Sequence, residues 1–277
     1  MLPTFMLIGA MKSGTTSLAR YLSSHPDVFM TKPKEPGFFN PARNWTKGQE
    51  WYEALFGGAR PDQARGEAST SYTMSPHVPA VPERIAGMVP DARFIYLIRN
   101  PVDRIRSMYM HLVDRGEELV PISDAVEQRP TYLDISRYGY QLDQYLKVFS
   151  RDRILVVSSN DLRHNRLDTL GSIFGFIGVD PNVALPDVSE EYHRGDDKRR
   201  ILPAMEGTRT VLRRTGLMRR IPKDLKWKAR SALSTAVPTD RAGIDEELAD
   251  SIWRSLADDL GRLREIVGPD FYLWGKA

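Results

Sequence analysis

The run Phe5-Met6-Leu7-Ile8 closes on Gly9, and a helical pattern begins at Thr15. Four consecutive apolar residues stopped by glycine read as a short strand buried on both faces. From Thr15 onward Leu18, Tyr21 and Leu22 share one helical face. The pattern ends near His25-Pro26, because proline disfavours helix in the residue before it. The order strand, glycine-containing loop, helix leaves few folds open. It is the α/β layout in which a helix N-terminus meets an anion.

The same alternation recurs. Arg93-Phe94-Ile95-Tyr96-Leu97-Ile98 reads as a second buried strand, and a helix follows Arg99-Asn100-Pro101 through Arg104, Ser107, Met108 and His111. Arg153-Ile154-Leu155-Val156-Val157 reads as a third strand. After it an amphipathic helix carries Leu167, Leu170, Ile173, Phe174 and Ile177. Strands alternating with helices predict a central parallel sheet flanked by helices, a three-layer α/β fold. Glu246 to Val267 predicts a long helix with Leu248, Ile252, Trp253, Leu256, Leu260, Leu263 and Ile266 inward, and Phe271-Tyr272-Leu273-Trp274 is expected to pack that helix onto the body. With no internal repeat and no low-complexity linker, residues 1–277 are expected to form one domain.

Composition narrows the chemistry. The chain has no cysteine, which excludes disulfides, thiolate nucleophiles and cysteine-bound zinc. A net charge of only +3 favours a local basic cleft for an anionic ligand over a general nucleic-acid binder. The start, Met-Leu-Pro-Thr-Phe-Met-Leu-Ile-Gly, lacks the basic region of a signal peptide. No apolar stretch approaches the roughly 20 residues of a membrane span. A cytoplasmic protein with no membrane span is the expectation. Arg209–Arg230 is dense in Arg and Lys with Asp224 as its only acid; it reads first as a solvated helical face, and otherwise as a cover for the cleft or a surface that draws in an anionic acceptor or carrier protein.

Gly9-Ala10-Met11-Lys12-Ser13-Gly14-Thr15-Thr16 has what a phosphate loop needs. Its small residues let backbone N–H groups approach oxygens, Lys12 brings charge, and Thr15 and Thr16 bring hydroxyls to a helix start. It is not a Walker A loop, because the lysine precedes the glycine. The strand ending at Ile98 is followed by Arg99 rather than by an acid that would hold magnesium. Phosphate binding without a metal is the reading. Taken alone, the loop reads equally as a plain turn with Thr15 as N-cap.

Arg99 changes that balance. It sits at the C-terminal edge of a strand, where ligands bind in open α/β sheets. Ser107 follows two helical turns later. An arginine fork with a nearby hydroxyl suits a second, separate phosphate.

Lys12-Ser13-Gly14-Thr15-Thr16 and Arg99-Asn100-Pro101 through Arg106-Ser107 together resemble the PAPS-dependent sulfotransferases, especially the branch of the heparan sulfate sulfotransferases and their bacterial relatives. Lys34-Glu35-Pro36-Gly37-Phe38-Phe39 is similar to that family's acid-and-aromatic motif. Gly66-Glu67-Ala68-Ser69-Thr70-Ser71-Tyr72, Arg137-Tyr138-Gly139-Tyr140-Gln141-Leu142 and the final helix with Trp274 also fit. The likeness is weakest from Asp187 to Gly243.

The resemblance implies a P-loop-like fold and a sulfuryl transfer from PAPS to a hydroxyl or amine by in-line displacement, releasing PAP, with no metal. It implies that Lys12 steadies the leaving phosphate, that Ser13, Gly14, Thr15 and Thr16 cradle the 5′-phosphate, and that Arg99 and Ser107 hold the 3′-phosphate. Glu35 is the implied general base, with Glu67 second and His111 a further candidate by chemistry. Two departures stand out. Ala68 replaces a lysine that touches the acceptor or the sulfate in many relatives. The late loop that adds contacts to PAP has only Arg194-Gly195 and Lys198-Arg199-Arg200 to offer, with Arg199 the candidate contact. Phe38, Phe39, Trp45, Trp51 and Tyr72 read either as core or as the floor of an acceptor pocket. The expected partner is a small or carrier-bound acceptor with a free hydroxyl, in the cytoplasm of a bacterium, and not a nucleic acid. A magnesium-dependent P-loop kinase and a non-enzymatic polyanion-binding protein are the rival readings.

Overall fold

The computed structural model describes residues 1–185, 199–201, 234–236 and 243–274. The first strand runs Phe5–Gly9 (β1) and is followed by helix Thr15–Ser23 (α1). Then come strand Val28–Met30 (β2), helix Gly48–Ala54 (α2), strand Ala64–Ala68 (β3) and helix Val81–Met88 (α3). Strand Arg93–Ile98 (β4) leads into helix Pro101–Arg115 (α4), and three further helices follow at Ile122–Gln128 (α5), Thr131–Asp134 (α6) and Tyr138–Leu146 (α7). Strand Ile154–Ser158 (β5), helices Ser159–His164 (α8) and Arg166–Ile177 (α9), and the long helix Glu246–Val267 (α10) complete the body. Two short strands, Arg199–Ile201 (β6) and Ser234–Ala236 (β7), pair antiparallel, and β6 runs alongside α4.

The predicted central sheet is present and parallel throughout, in the order β2-β3-β1-β4-β5. Its strands alternate between two apolar layers. Phe5, Leu7, Ile95, Leu97 and Val157 pack with Leu18 and Leu22 of α1 and with Leu170 and Ile173 of α9. Met6, Ile8, Phe94, Tyr96 and Val156 pack with α3, with Tyr138, Leu142 and Tyr145 of α7, and with Leu263 of α10. Burial on both faces is why these strands read as unbroken apolar runs. A third cluster joins Ile105 and Tyr109 of α4 to α5 and to Ile252 and Leu256 of α10. No helix among the described residues is long and apolar enough to cross a membrane.

β2 and β3 carry no such run. β2 has three residues, and β3 reads Ala-Arg-Gly-Glu-Ala, a pattern without apolar character. Gly66 is required there by contact: a Cβ at that position would lie 2.2 Å from the Phe5 ring and 2.7 Å from Met30 Sδ. Two residues expected inward point outward instead. Leu167 is 68% exposed in the first turn of α9, and Tyr272 is 64% exposed. In that tail Phe271, Leu273 and Trp274 make the contact, the Trp274 ring 6.4 Å from that of Tyr138.

Candidate active site

β1 and β4 are neighbours, so the loops after them meet at one edge of the sheet. Ala10 N–H donates to Leu97 O at 2.6 Å and ties the first loop to β4. Lys12 and Gly14 both take left-handed backbone angles, with φ of 71° and 101°. Glycine adopts this conformation freely; lysine does so only where its surroundings dictate it. Left-handed residues in such a turn direct successive N–H groups toward one side, which makes a concave anion cradle.

The start of α1 supports that use. Its N-cap is Gly14, not Thr15 as the plain-turn reading holds, and no side chain caps its N–H groups. Thr15 lies inside the first turn, buried, with Thr16 half-buried beside it. Ser13 is 2% exposed, and its Oγ makes no hydrogen bond of normal geometry. The nearby Tyr138 hydroxyl instead donates to Arg99 O at 2.7 Å; burial pushes that phenol up to about 12, so it keeps its proton. A buried hydroxyl and an uncapped helix start, side by side, are what a bound phosphate would satisfy.

The second loop is set by α4. Asn100 caps the helix by accepting from Val102 N–H at 3.0 Å and Asp103 N–H at 3.3 Å, and Pro101 takes the first helical position. Arg99 is thereby held directly at the sheet edge. Its Nη1 donates to Lys12 O at 3.5 Å, and its Nη2 lies 3.8 Å from Asp103 Oδ2. Lys12 and Arg99, 87 residues apart, are in contact. Ser107 is half-buried on α4, and His111 follows one turn later on the same side. The strand holding Arg199 lies along this helix. Arg194, Gly195, Lys198 and the basic stretch 209–230 lie outside the described residues.

Sequence reasoning passed over the residue that braces this edge. Arg104 is fully buried in α4 and makes no ion pair among the described residues. Its Nε donates to Ser136 Oγ at 2.5 Å, Nη2 to Tyr132 O, and Nη1 to Met108 Sδ at 3.4 Å. Burial lowers its pKa. The guanidinium fastens α4 to the turn that leads into α7, and Tyr138 returns from α7 to Arg99. Asp259 of α10 completes the brace by accepting from Gly139 N–H at 3.0 Å and Tyr140 N–H at 2.7 Å. No local pattern distinguishes Arg104 from a surface arginine.

The acid motif hangs from the neighbouring strand. Glu35 N–H donates to Ala68 O at 2.9 Å, and Glu35 has a left-handed φ of 63°. Ala68 lies opposite Leu7 of β1, which brings this loop to the edge that bears Lys12. The Glu35 carboxylate is about a third exposed. It meets Lys34 Nζ at 2.9 Å, Thr70 Oγ1 at 3.3 Å and Arg43 Nη1 at 3.8 Å. Such a group is both accessible and held. Glu67 is neither accessible nor weakly held: it is 0% exposed and accepts from Tyr52 OH at 2.5 Å, Ser69 Oγ at 2.7 Å and Tyr72 OH at 2.8 Å. Burial raises its pKa, and the three hydroxyls oppose the rise.

The aromatics that follow Glu35 are core. Phe38 stacks on Tyr52 with centroids 4.3 Å apart and planes 8° from parallel, and Phe39 and Tyr72 meet edge to face at 5.8 Å. Phe38, Phe39 and Tyr72 are each 2% exposed or less, which leaves only Trp45 and Trp51 partly open. They pack together beside the acid loop.

The comparisons agree with this geometry. A family profile described as "Sulfotransferase domain" matches residues 2–205. The human bifunctional heparan sulfate N-deacetylase/N-sulfotransferase 2 is 28% identical over 231 residues, covering 76% of this chain and 25% of that protein. Mouse heparan sulfate glucosamine 3-O-sulfotransferase 6 is 29% identical over 185 residues, covering 64% of this chain and 52% of its own length. The chain thus spans between about a quarter and a half of these curated relatives. A crystal structure of a sulfotransferase from Alicyclobacillus acidocaldarius superposes with a TM-score of 0.71 at 25% identity, covering 98% of both chains. The two edge loops, their shared contact and the matched profile lead to one assignment: the chain belongs to the sulfotransferase family, whose chemistry is transfer of a sulfuryl group.

Proposed function

We propose that the chain takes its sulfuryl group from PAPS and passes it to a hydroxyl or amine, using Lys12, Arg99, Ser107 and Glu35. The observation that carries this reading is the contact between Arg99 and the Lys12 carbonyl, which puts the two phosphate-binding elements side by side. PAPS, when bound, supplies an activated sulfuryl group and leaves as PAP.

The residues present fit such a donor. The Ser13 N–H is already held by Ala10 O at 3.2 Å, so the N–H groups from Gly14 to Thr16 and the buried, unpartnered Ser13 Oγ suit the 5′-phosphate, and Lys12 offsets the charge that builds on the leaving oxygen. Arg99 and Ser107 take the 3′-phosphate, with Arg199 as an added contact, and so select PAPS over nucleotides that lack that group. In-line displacement asks chiefly for alignment and charge stabilisation, which fixed loops provide. Glu35 accepts the acceptor's proton; the ion pair with Lys34 orients its carboxylate for the task.

On the acceptor, the relatives named for heparan sulfate suggest a sugar amine or hydroxyl. Ala68 speaks for a smaller or carrier-bound acceptor, because its side chain is buried against α1 and brings no cation to the site. The bacterial cytoplasm is the proposed setting, and residues 1–277 the proposed catalytic domain. The test uses release of PAP from PAPS, with de-N-sulfated heparin and a panel of small alcohols and phenols as acceptors. Glu35→Gln is expected to lower turnover by about 100-fold or more while PAP raises the melting temperature as it does for the parent. Near-normal turnover in that variant removes Glu35 from the role of base.

A further inference from the structure

Glu67 is a fully buried carboxylate that the proposed reaction does not use. Each of its neighbours has a second task. Ser69 Oγ donates to Glu67 Oε2 and accepts from Gly37 N–H at 2.9 Å. Tyr72 OH donates to Glu67 Oε1 and accepts from Phe39 N–H at 3.2 Å. Gly37 and Phe39 lie two and four residues beyond Glu35. The third neighbour, Tyr52, donates its hydrogen bond to Glu67 and has no hydrogen bond to that loop's backbone.

A hydroxyl that donates to a buried carboxylate is a stronger and better-oriented acceptor on its other side, because charge-assisted bonds polarise the chain they end. The carboxylate therefore fixes the direction of both hydroxyl lone pairs toward the loop. Glu35 needs such support: its left-handed φ of 63° is one that a side-chain-bearing residue adopts only when its surroundings impose it. One end of the loop is fixed by Glu35 N–H on Ala68 O, and the other by these two relays.

We propose that Glu67 is a positioning residue, which holds the 35–39 loop through Ser69 and Tyr72 and so aims the Glu35 carboxylate at the acceptor. This rests on the reading of Glu35 as base. It gives Glu67 a part in the reaction distinct from proton transfer, since a fully enclosed carboxylate has no path to an acceptor.

Ser69→Ala and Tyr52→Phe separate positioning from plain stability. Each removes one hydroxyl from the same carboxylate, but of the two hydroxyls only that of Ser69 bonds the loop backbone, and Tyr52→Phe keeps the ring that stacks on Phe38. Amide hydrogen exchange at Gly37 and Phe39 is measured on the full chain with PAP bound, beside turnover with PAPS and the acceptor panel. Ser69→Ala is expected to speed exchange at Gly37 and to lower kcat about 10-fold with PAP affinity unchanged. Tyr52→Phe is expected to leave both within about twofold, whatever it does to the melting temperature. Equal effects of the two variants, or no faster exchange in Ser69→Ala, overturn the proposal. Faster exchange with unchanged kcat also overturns it where Glu35→Gln is inactive. Where Glu35→Gln is active too, that result removes Glu35 as base and leaves the anchor itself supported.

Discussion

The donor edge and the acid loop are built by opposite means. At the donor edge the backbone does the positioning: left-handed Lys12 and Gly14, the Asn100 cap and Pro101 set the shape with few side-chain bonds. Behind it stands one buried cation, Arg104, satisfied by neutral acceptors. At the acid loop side chains do the positioning, through hydroxyls gathered on one buried carboxylate, Glu67. A rigid backbone cradle suits a ligand of fixed shape such as a nucleotide bisphosphate.

Variants at the two regions are expected to separate along the same line. Lys12→Ala has the largest expected effect, a fall in turnover of about 100- to 1,000-fold, because it deletes the cation proposed to sit at the leaving oxygen. PAP-release kinetics check it, and a loss under tenfold would return Lys12 to a binding role. Arg104→Ala comes next. It empties a large buried site and leaves the Tyr132 carbonyl and Ser136 without their donor, for a loss of about 3 kcal/mol in urea unfolding. Arg99→Lys keeps the charge and loses the fork, so PAP binding should weaken about 10-fold in calorimetry with little change in stability. An unchanged affinity there would mean that Arg99 only ties the two loops together.

The smallest expected effect is in pH dependence. Glu67 is raised in the fold by burial, so the native protein binds its proton more tightly than the unfolded chain does. Its contribution to stability is then complete below the ordinary carboxylate value of about 4.3 and is lost as pH rises through the higher native value. Glu67→Gln should therefore cost most at the acid end of the range and less at neutral pH. Melting temperatures of both proteins from acid to neutral pH test the sign, and a cost that grows with pH would contradict it.

The same contrast explains what could be read from the sequence. β1, β4 and β5 were legible because burial on both faces writes an apolar run, and the long helix Glu246–Val267 because its inward face repeats over many turns. The donor loops were legible because glycine, proline and asparagine leave local signatures where they shape backbone. β3 was not, since its Gly66 answers to the Phe5 ring and its Glu67 to three hydroxyls, and neither requirement shows as a period. Nor was the role of Arg104, whose partners lie 28 and 32 residues downstream. Glu35 was found through a motif, but its support from Ser69 and Tyr72 exists only in three dimensions. Leu167 and Tyr272 show the converse: helical spacing and an aromatic tail predicted burial that the fold does not give them.

The edge shared by Lys12 and Arg99 is proposed to clamp two phosphates of one nucleotide. Calorimetric titration in metal-free buffer, with PAP against adenosine 5′-phosphate, which lacks the 3′ group, tests it most directly. PAP is expected to bind saturably and at least about 10-fold tighter than the single phosphate, with most of the difference lost in Ser107→Ala. Equal affinity for the two nucleotides, or no binding of PAP, would contradict it.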